Sequence, residues 1–159
     1  MPTSLDPVHV FRFQVAFRPV GGGADQALVS GAFSEVTGLE ATMEPVAVSE
    51  GGRNWGQAQL PGRTTFSTVI LRRGISPTRH LWEWFRHVNQ RQGAYAHRMD
   101  VTITLQDAAG EPLLSWTLGR ALPVKLKVPD LAAAGQELGI EELHLVFDDL
   151  TEAPAGSAG

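Results

Sequence analysis

The chain has 159 residues, 43% of them hydrophobic, with 13 lysines and arginines against 17 aspartates and glutamates and a net charge of −4. That length suits one domain with a real core, and scattered charges of both signs leave no basic stripe to hold a phosphate backbone, so specific nucleic-acid binding is not expected. The absence of cysteine excludes disulfides, thiolate catalysis and cysteine zinc sites.

The opening "MPTSLDPVHVFRF" lacks the basic start and apolar run of a secretory signal, and no window reads as a membrane span; a soluble product assembled in the cytoplasm is expected. Residues 10–17, "VFRFQVAF", alternate with Phe11, Phe13, Val15 and Phe17 on one face, which predicts a half-buried strand. "RPVGGGADQ" is a turn by composition, and a second strand, "ALVSGAFSEV", follows from Ala27. "TGLEATMEPVAVSE" is rich in β-branched residues but broken at Gly38 and Pro45, so it reads as a bent or edge strand. The next stretch, 48–66, is polar and glycine-studded, with Trp55 among residues that cannot bury it; it reads as a long excursion before the strand "RTTFSTVILRRG".

Ser76 suits an N-cap and Pro77 the first helical position, with Leu81, Trp84, Phe85 and Val88 at helical spacing, so residues 77 to about 91 are predicted to form an amphipathic helix. Trp84 joins its apolar stripe, and Trp82 points well away from it. "VTITLQD" places Val101, Ile103 and Leu105 inward, "DAAGEP" turns a hairpin into "LLSWTLG" with Trp116 facing the core, and "RALPVKLKV" is a further extended piece. "PDLAAAGQ" reads as a helical turn or loop, and "LGIEELHLVFDDL" as a final strand with Leu143, Leu145 and Phe147 on one face. The expected fold is mainly β: an antiparallel sandwich or partial barrel with one packed helix, in a single domain over 1–150 followed by a flexible tail over 151–159. Because several strands alternate apolar with small uncharged residues, their edges are expected to be covered by another chain.

No catalytic constellation emerges. His9, His80, His87, His97 and His144 contain no HExxH and no i, i+4 pair, so no metal site is expected. Ser34 in "GAFSEVTG" lacks the spacing and strand-to-helix context of a nucleophile elbow. The triple glycine at 21–23 leads into no helix that could cradle a phosphate, so no cofactor is expected. Glu141 with Glu142 and Asp148 with Asp149 alternate across a strand and read as solvated charges. A small-ligand-binding or hydrolytic β-domain using Ser34 or His80 near the 48–66 excursion is the alternative of a different class.

The motifs, taken in order, resemble the tail tube proteins of contractile phages and contractile injection systems. The matching positions are Phe13 to Phe17, Phe33 to Leu39, Glu50 to Asn54, Leu60 to Gly62, Leu71 to Gly74 and Leu81 to Trp84, followed by the run from "LQDAAGEP" to "IEELHLVFDDL". The resemblance implies a structural subunit, not an enzyme, whose hexameric rings complete a barrel by edge-to-edge pairing and stack into a hollow tube inside a contractile sheath. It implies as partners other copies of the chain, a sheath protein, a tube initiator with spike and baseplate proteins, a tube-terminating cap and lumenal cargo, in a phage tail or an injection particle. Val48 and Ser49 stand where the family often has tyrosine and arginine, and the chain is either the bulk tube subunit or the tube initiator. Within this resemblance, Glu50, Gly51, Gly52, Arg53, Asn54, Trp55, Leu60, Pro61 and Gly62 are expected at contacts between subunits or rings.

Overall fold

A computed structural model describes residues 12–20, 29–52, 55–75, 79–90, 98–129 and 139–154. The expectations for Phe11, the triple glycine, the Ser76–Pro77 helix start, His9, His97 and most of "PDLAAAGQ" lie outside these residues.

Alternation in the first strand holds: β1 (Arg12–Pro19) buries Val15 and Phe17 between exposed or half-buried neighbours. It pairs antiparallel with β2 (Val29–Phe33) on one side and with β9 (Met99–Gln106) on the other. β9 buries Met99, Val101 and Ile103 and turns into β10 (Pro112–Lys127). The turn is organised by Asp107, whose carboxylate accepts from the amides of Ala109 and Glu111, while Gly110 takes the positive φ (84°) that an L side chain resists.

β10 unites the two pieces "LLSWTLG" and "RALPVKLKV", which the sequence reading separates at Gly119. Its first half lies between β9 and β12 (Asp149–Pro154), and its second half pairs with β11 (Ile140–Val146). The register slips between Leu118 and Ala121, where Arg120 adopts φ 56°. This bulge is held from three sides. The Arg120 amide donates to Asp100 Oδ1 at 3.0 Å, Arg98 Nη1 donates to the Arg120 carbonyl at 3.0 Å and to Asp148 Oδ2 at 3.1 Å, and the Asp148 amide donates to the Gly119 carbonyl at 3.0 Å. Asp148 is thus a corner residue, not simply a solvated charge. The sequence's single final strand is β11 followed, after Phe147 and Asp148, by β12; residues 151–154, expected in the tail, complete β12 on β10.

β11 pairs with β8 (Val69–Gly74), and β8 with β3 (Glu35–Thr37). β2 and β3 are one run of chain bent at Ser34, so the strand order β2-β1-β9-β10-β11-β8-β3 begins and ends on that run. The result is a flattened antiparallel barrel whose corners lie at Ser34 and at Gly119–Arg120. Residues 101–107 and 140–147, whose neutral pattern suggested edges covered by another chain, are instead flanked on both sides within this chain. Their small polar residues face outward from paired strands and do not mark open edges.

The helix α1 (His80–Gln90) lays Leu81 and Trp84 into the core, with the Trp84 ring edge-on to Phe17 at 5.6 Å between centroids. Trp82 stays outside and stacks on Phe85. Trp116 is half-buried against the core and donates its indole N–H to Glu152 Oε2 at 2.7 Å.

Ile103 is wholly buried at the centre of β9. Ile103→Asp would bury a charge without a partner at a cost of several kcal/mol, so no cooperative thermal transition is expected by circular dichroism. Ile103→Val is expected to lose only about 0.5 to 1.5 kcal/mol, and a soluble, cooperatively melting Ile103→Asp protein would refute the register.

Candidate functional site

The segment between β3 and β8 leaves the barrel as a two-stranded arm. β4 (Ala41–Met43) pairs with β7 (Thr64–Phe66), and β5 (Val46–Val48) pairs with β6 (Ala58–Leu60). Half of the stretch expected to be an excursion is therefore return strand, its pairing hidden in the sequence by Pro61 and the glycines. At the arm's base, Gly38 has φ 86° and its missing Cβ would sit 2.1 Å from the Thr68 carbonyl oxygen. At the kink, a Cβ on Gly62 would lie 2.0 Å from the Glu44 carbonyl oxygen. Both crossings close only because these residues have no side chain. Leu60 ends β6, so the Leu60–Pro61–Gly62 run is a kink between two paired segments.

Phe66 anchors the base against Phe147, 5.3 Å between ring centroids. Beyond it the arm has no core. Met43, Val46, Val48 and Leu60 are exposed, and Val46 faces Leu60 across the ladder as Val48 faces Ala58, so one face of β5–β6 is apolar. Trp55, near the tip, is 93% exposed. An isolated two-stranded hairpin is marginal in water, and large aromatics left in solvent mark contact surfaces. Of the residues expected at contacts, Glu50, Gly51, Gly52, Trp55, Leu60, Pro61 and Gly62 are all on this arm; Arg53 and Asn54 lie outside the described residues. A Cβ added to Gly51 or Gly52 would meet none of the described residues within 4 Å, and Gly52 supplies a positive φ of 87°. The sequence reading missed Met43, Val46 and Val48, although the alternation of Val46 and Val48 around Ala47 was a visible signal.

Two ion clusters flank the arm's exit strand. On the outer face, Arg72 bridges Glu35 Oε1 at 2.9 Å and Glu142 Oε2 at 3.1 Å, and Glu142 Oε1 meets His144 Nε2 at 2.6 Å. His144 and Arg72 hold the Glu142 carboxyl below its ordinary value of 4.5, and the two carboxylates hold Arg72 more firmly protonated. On the inner face, Glu141 is 1% exposed. Its Oε2 accepts from Arg73 Nε at 3.1 Å, and its Oε1 lies 3.0 Å from Arg79 Nη2, an ion pair whose geometry falls short of a directed hydrogen bond. Arg73 also lies over the Phe33 ring, 5.4 Å from its centroid. The expectation that Glu141 and Glu142 are solvated is thus overturned: they stand opposite Arg73 and Arg72 in register across β8 and β11.

Ser34 and His80, the residues of the alternative reading, are engaged with other groups. The Ser34 hydroxyl donates to the Arg72 carbonyl at 3.1 Å, and His80 Nδ1 lies 3.6 Å from Glu83 on its own helix. Among the described residues no group of three His, Asp or Glu could hold a metal, and no helix is long and apolar enough to cross a membrane.

The described residues thus form a small antiparallel barrel with one packed helix and a projecting apolar arm. The chain belongs to the T4-like virus tail tube protein gp19 family, which it matches over residues 9–151, and it is a structural tail tube protein of a phage tail or contractile injection particle, not an enzyme. In the extended PVC sheath–tube complex, an extracellular contractile injection system, a solved chain is 25% identical, with TM-score 0.73 over 96% of this chain and 95% of that one. A chain of the PVC sheath/tube terminator is 26% identical, with TM-score 0.71 over 92% and 96%. An Hcp protein shares the fold at 7% identity, with TM-score 0.58 over 94% and 95%. No curated protein sequence matches.

Two outcomes follow from this geometry. Trp55→Ala is expected to leave the thermal midpoint of the free subunit unchanged, whereas Trp84→Ala loses about 3 to 5 kcal/mol by denaturant titration. Because the Glu142 carboxyl is lowered on folding, its contribution is full above pH 4.5 and fades as pH falls through its depressed folded value. The stability gap between the parent and Glu142→Gln is therefore expected to be widest near neutrality and to close in acid.

Proposed function

We propose that the chain is the bulk subunit of the inner tube: copies join into hexameric rings, rings stack into a hollow tube, and a contracting sheath drives the tube through a target envelope while cargo passes within it. The exposed apolar arm carries this reading. A monomeric protein gains nothing from holding Val46, Val48, Leu60 and Trp55 in water, whereas a polymer buries them at every repeat. Glu50, Gly51, Gly52, Trp55, Leu60, Pro61 and Gly62, with Arg53 and Asn54, are the proposed contacts between subunits or rings. The outer strands of the arm-free sheet, β2 and β12, are the edges on which neighbouring copies can extend the sheet laterally.

The relatives supply the remaining partners. One similar chain belongs to a sheath–tube complex, another to a sheath/tube terminator, and both roles extend here to a surrounding sheath and a terminating cap. Initiator, spike and baseplate proteins complete the set, with assembly beginning in the cytoplasm.

Negative-stain electron microscopy and sedimentation of the purified chain, alone and with its baseplate components, test this. Rings or tubes are expected, and their yield is expected to fall at least about tenfold for Trp55→Ala, the effect of losing roughly 1.4 kcal/mol or more per contact. Inert monomers under both conditions would refute the reading.

A further inference from the structure

The arm bends where its two paired segments meet, between Met43 and Val46 on the outgoing strand and between Leu60 and Thr64 on the return. Pro45 and Pro61 bring no amide to this kink. Two hydrogen bonds between described residues tie it across: the Glu44 amide donates to the Arg63 carbonyl at 2.9 Å, and the Gly62 amide donates to Met43 Sδ at 3.3 Å. A Cβ on Gly62 would lie 2.0 Å from the Glu44 carbonyl oxygen, so the strands touch here and the amide has little freedom to turn to another acceptor. A thioether is a weak acceptor, and at this joint it stands where a carbonyl oxygen would serve in a regular ladder. Met43 is 45% exposed, whereas Met99 is 8% exposed in the barrel core. With no cysteine in the chain, the methionine thioethers are its only sulfurs, and Met43 is the more open to solvent of the two described.

We propose that Met43 is a site of reversible oxidation by hydroperoxides, and that its conversion to the sulfoxide releases Gly62 and loosens the outer half of the arm while leaving the barrel intact. The inference concerns the arm's own joint and holds whatever surface the arm meets. In the step, a lone pair of Met43 Sδ attacks one oxygen of hydrogen peroxide and the O–O bond breaks. The proton on the transferred oxygen passes to the departing hydroxide, so sulfoxide and water are formed; sulfur loses two electrons and the peroxide gains them. A thioether sulfur carries two lone pairs. One is directed at the Gly62 amide, and an N···S separation of 3.3 Å leaves no room for an oxygen atom between them, so the peroxide must approach the other. Attack on one fixed lone pair yields one of the two sulfoxide epimers. The new oxygen draws electron density from sulfur, which makes it a poorer acceptor, and the tie to Gly62 is lost. Phe66, packed on Phe147 at the arm's base, stands away from the change, and so does the barrel core.

The free full-length chain, isotope-labelled for NMR, tests this. Limiting hydrogen peroxide followed by peptide mass analysis is expected to oxidise Met43 at least about tenfold faster than Met99. One of the two stereospecific methionine sulfoxide reductases is expected to restore the thioether nearly completely, and the other to leave it oxidised. Exchange of the Gly62 amide with solvent is expected to rise at least about threefold on oxidation and to return on reduction, with the thermal midpoint unchanged throughout. Met43→Leu keeps the size of the side chain but lacks the acceptor, so its Gly62 amide is expected to exchange as fast as in the oxidised parent, with or without peroxide. Equal oxidation of Met43 and Met99, a sulfoxide reduced half by each enzyme, or Gly62 exchange that neither oxidation nor Met43→Leu alters would overturn the inference.

Discussion

β10 serves both sheets of the barrel because its backbone turns at Gly119 and Arg120, and the joining of β9 and β12 on one side to β11 on the other depends on that turn. A straight strand of 16 residues could not leave β9 and continue along β11. The left-handed conformation of Arg120 is unfavourable for a residue with a side chain, and persists because Asp100, Arg98 and Asp148 bond the adjoining backbone. Gly119 allows the Asp149 side chain to approach to 3.2 Å of where its Cβ would be. The corner thus fixes where β11 ends and β12 begins, and with it the position of Phe147, on which the arm's base rests.

Barrel and arm are stabilised in opposite ways. The barrel buries a continuous aliphatic and aromatic core from Val15 to Phe147. The arm is held by its ladder, by two glycine crossings and by Phe66, and gains little from burial until it meets another surface. That division lets the body fold as an ordinary domain while the projecting element stays available for assembly, and the ordering cost of the arm is partly met before any partner arrives.

Much of the body could be read from the residues alone. β1 and β9 alternate without interruption, and the helix stripe of Leu81, Trp84 and Val88 is unambiguous. β10 read as two strands because Gly119 and Pro123 look like breakers; Pro123 is tolerated beside a register shift, on a half-strand paired only with β11. The Glu141 cluster was hidden because adjacent acids suggest a surface, although Glu141 is in phase with Leu143, Leu145 and Phe147, and Arg73 with Val69 and Leu71. Pairing inside the arm could not be deduced from pattern, since its strands are three residues long and separated by proline and glycine. Apart from Trp55, which its polar and glycine neighbours cannot bury, its site residues came from motif order and not from local physics.

The carboxylate of Glu141 joins Arg73 and Arg79, which precede it by more than 60 residues in the chain. On a ribosome, β8 emerges carrying Arg73, whose buried counter-charge has not yet been made. That side chain, 10% exposed in the finished fold, cannot settle into a low-dielectric interior until β11 arrives, so the barrel closes late and as a unit, after nearly the whole chain is available. The arm, flanked by β3 and β8, acquires its fixed base only at that moment. An incomplete chain therefore lacks the platform from which to present a competent contact to a growing polymer.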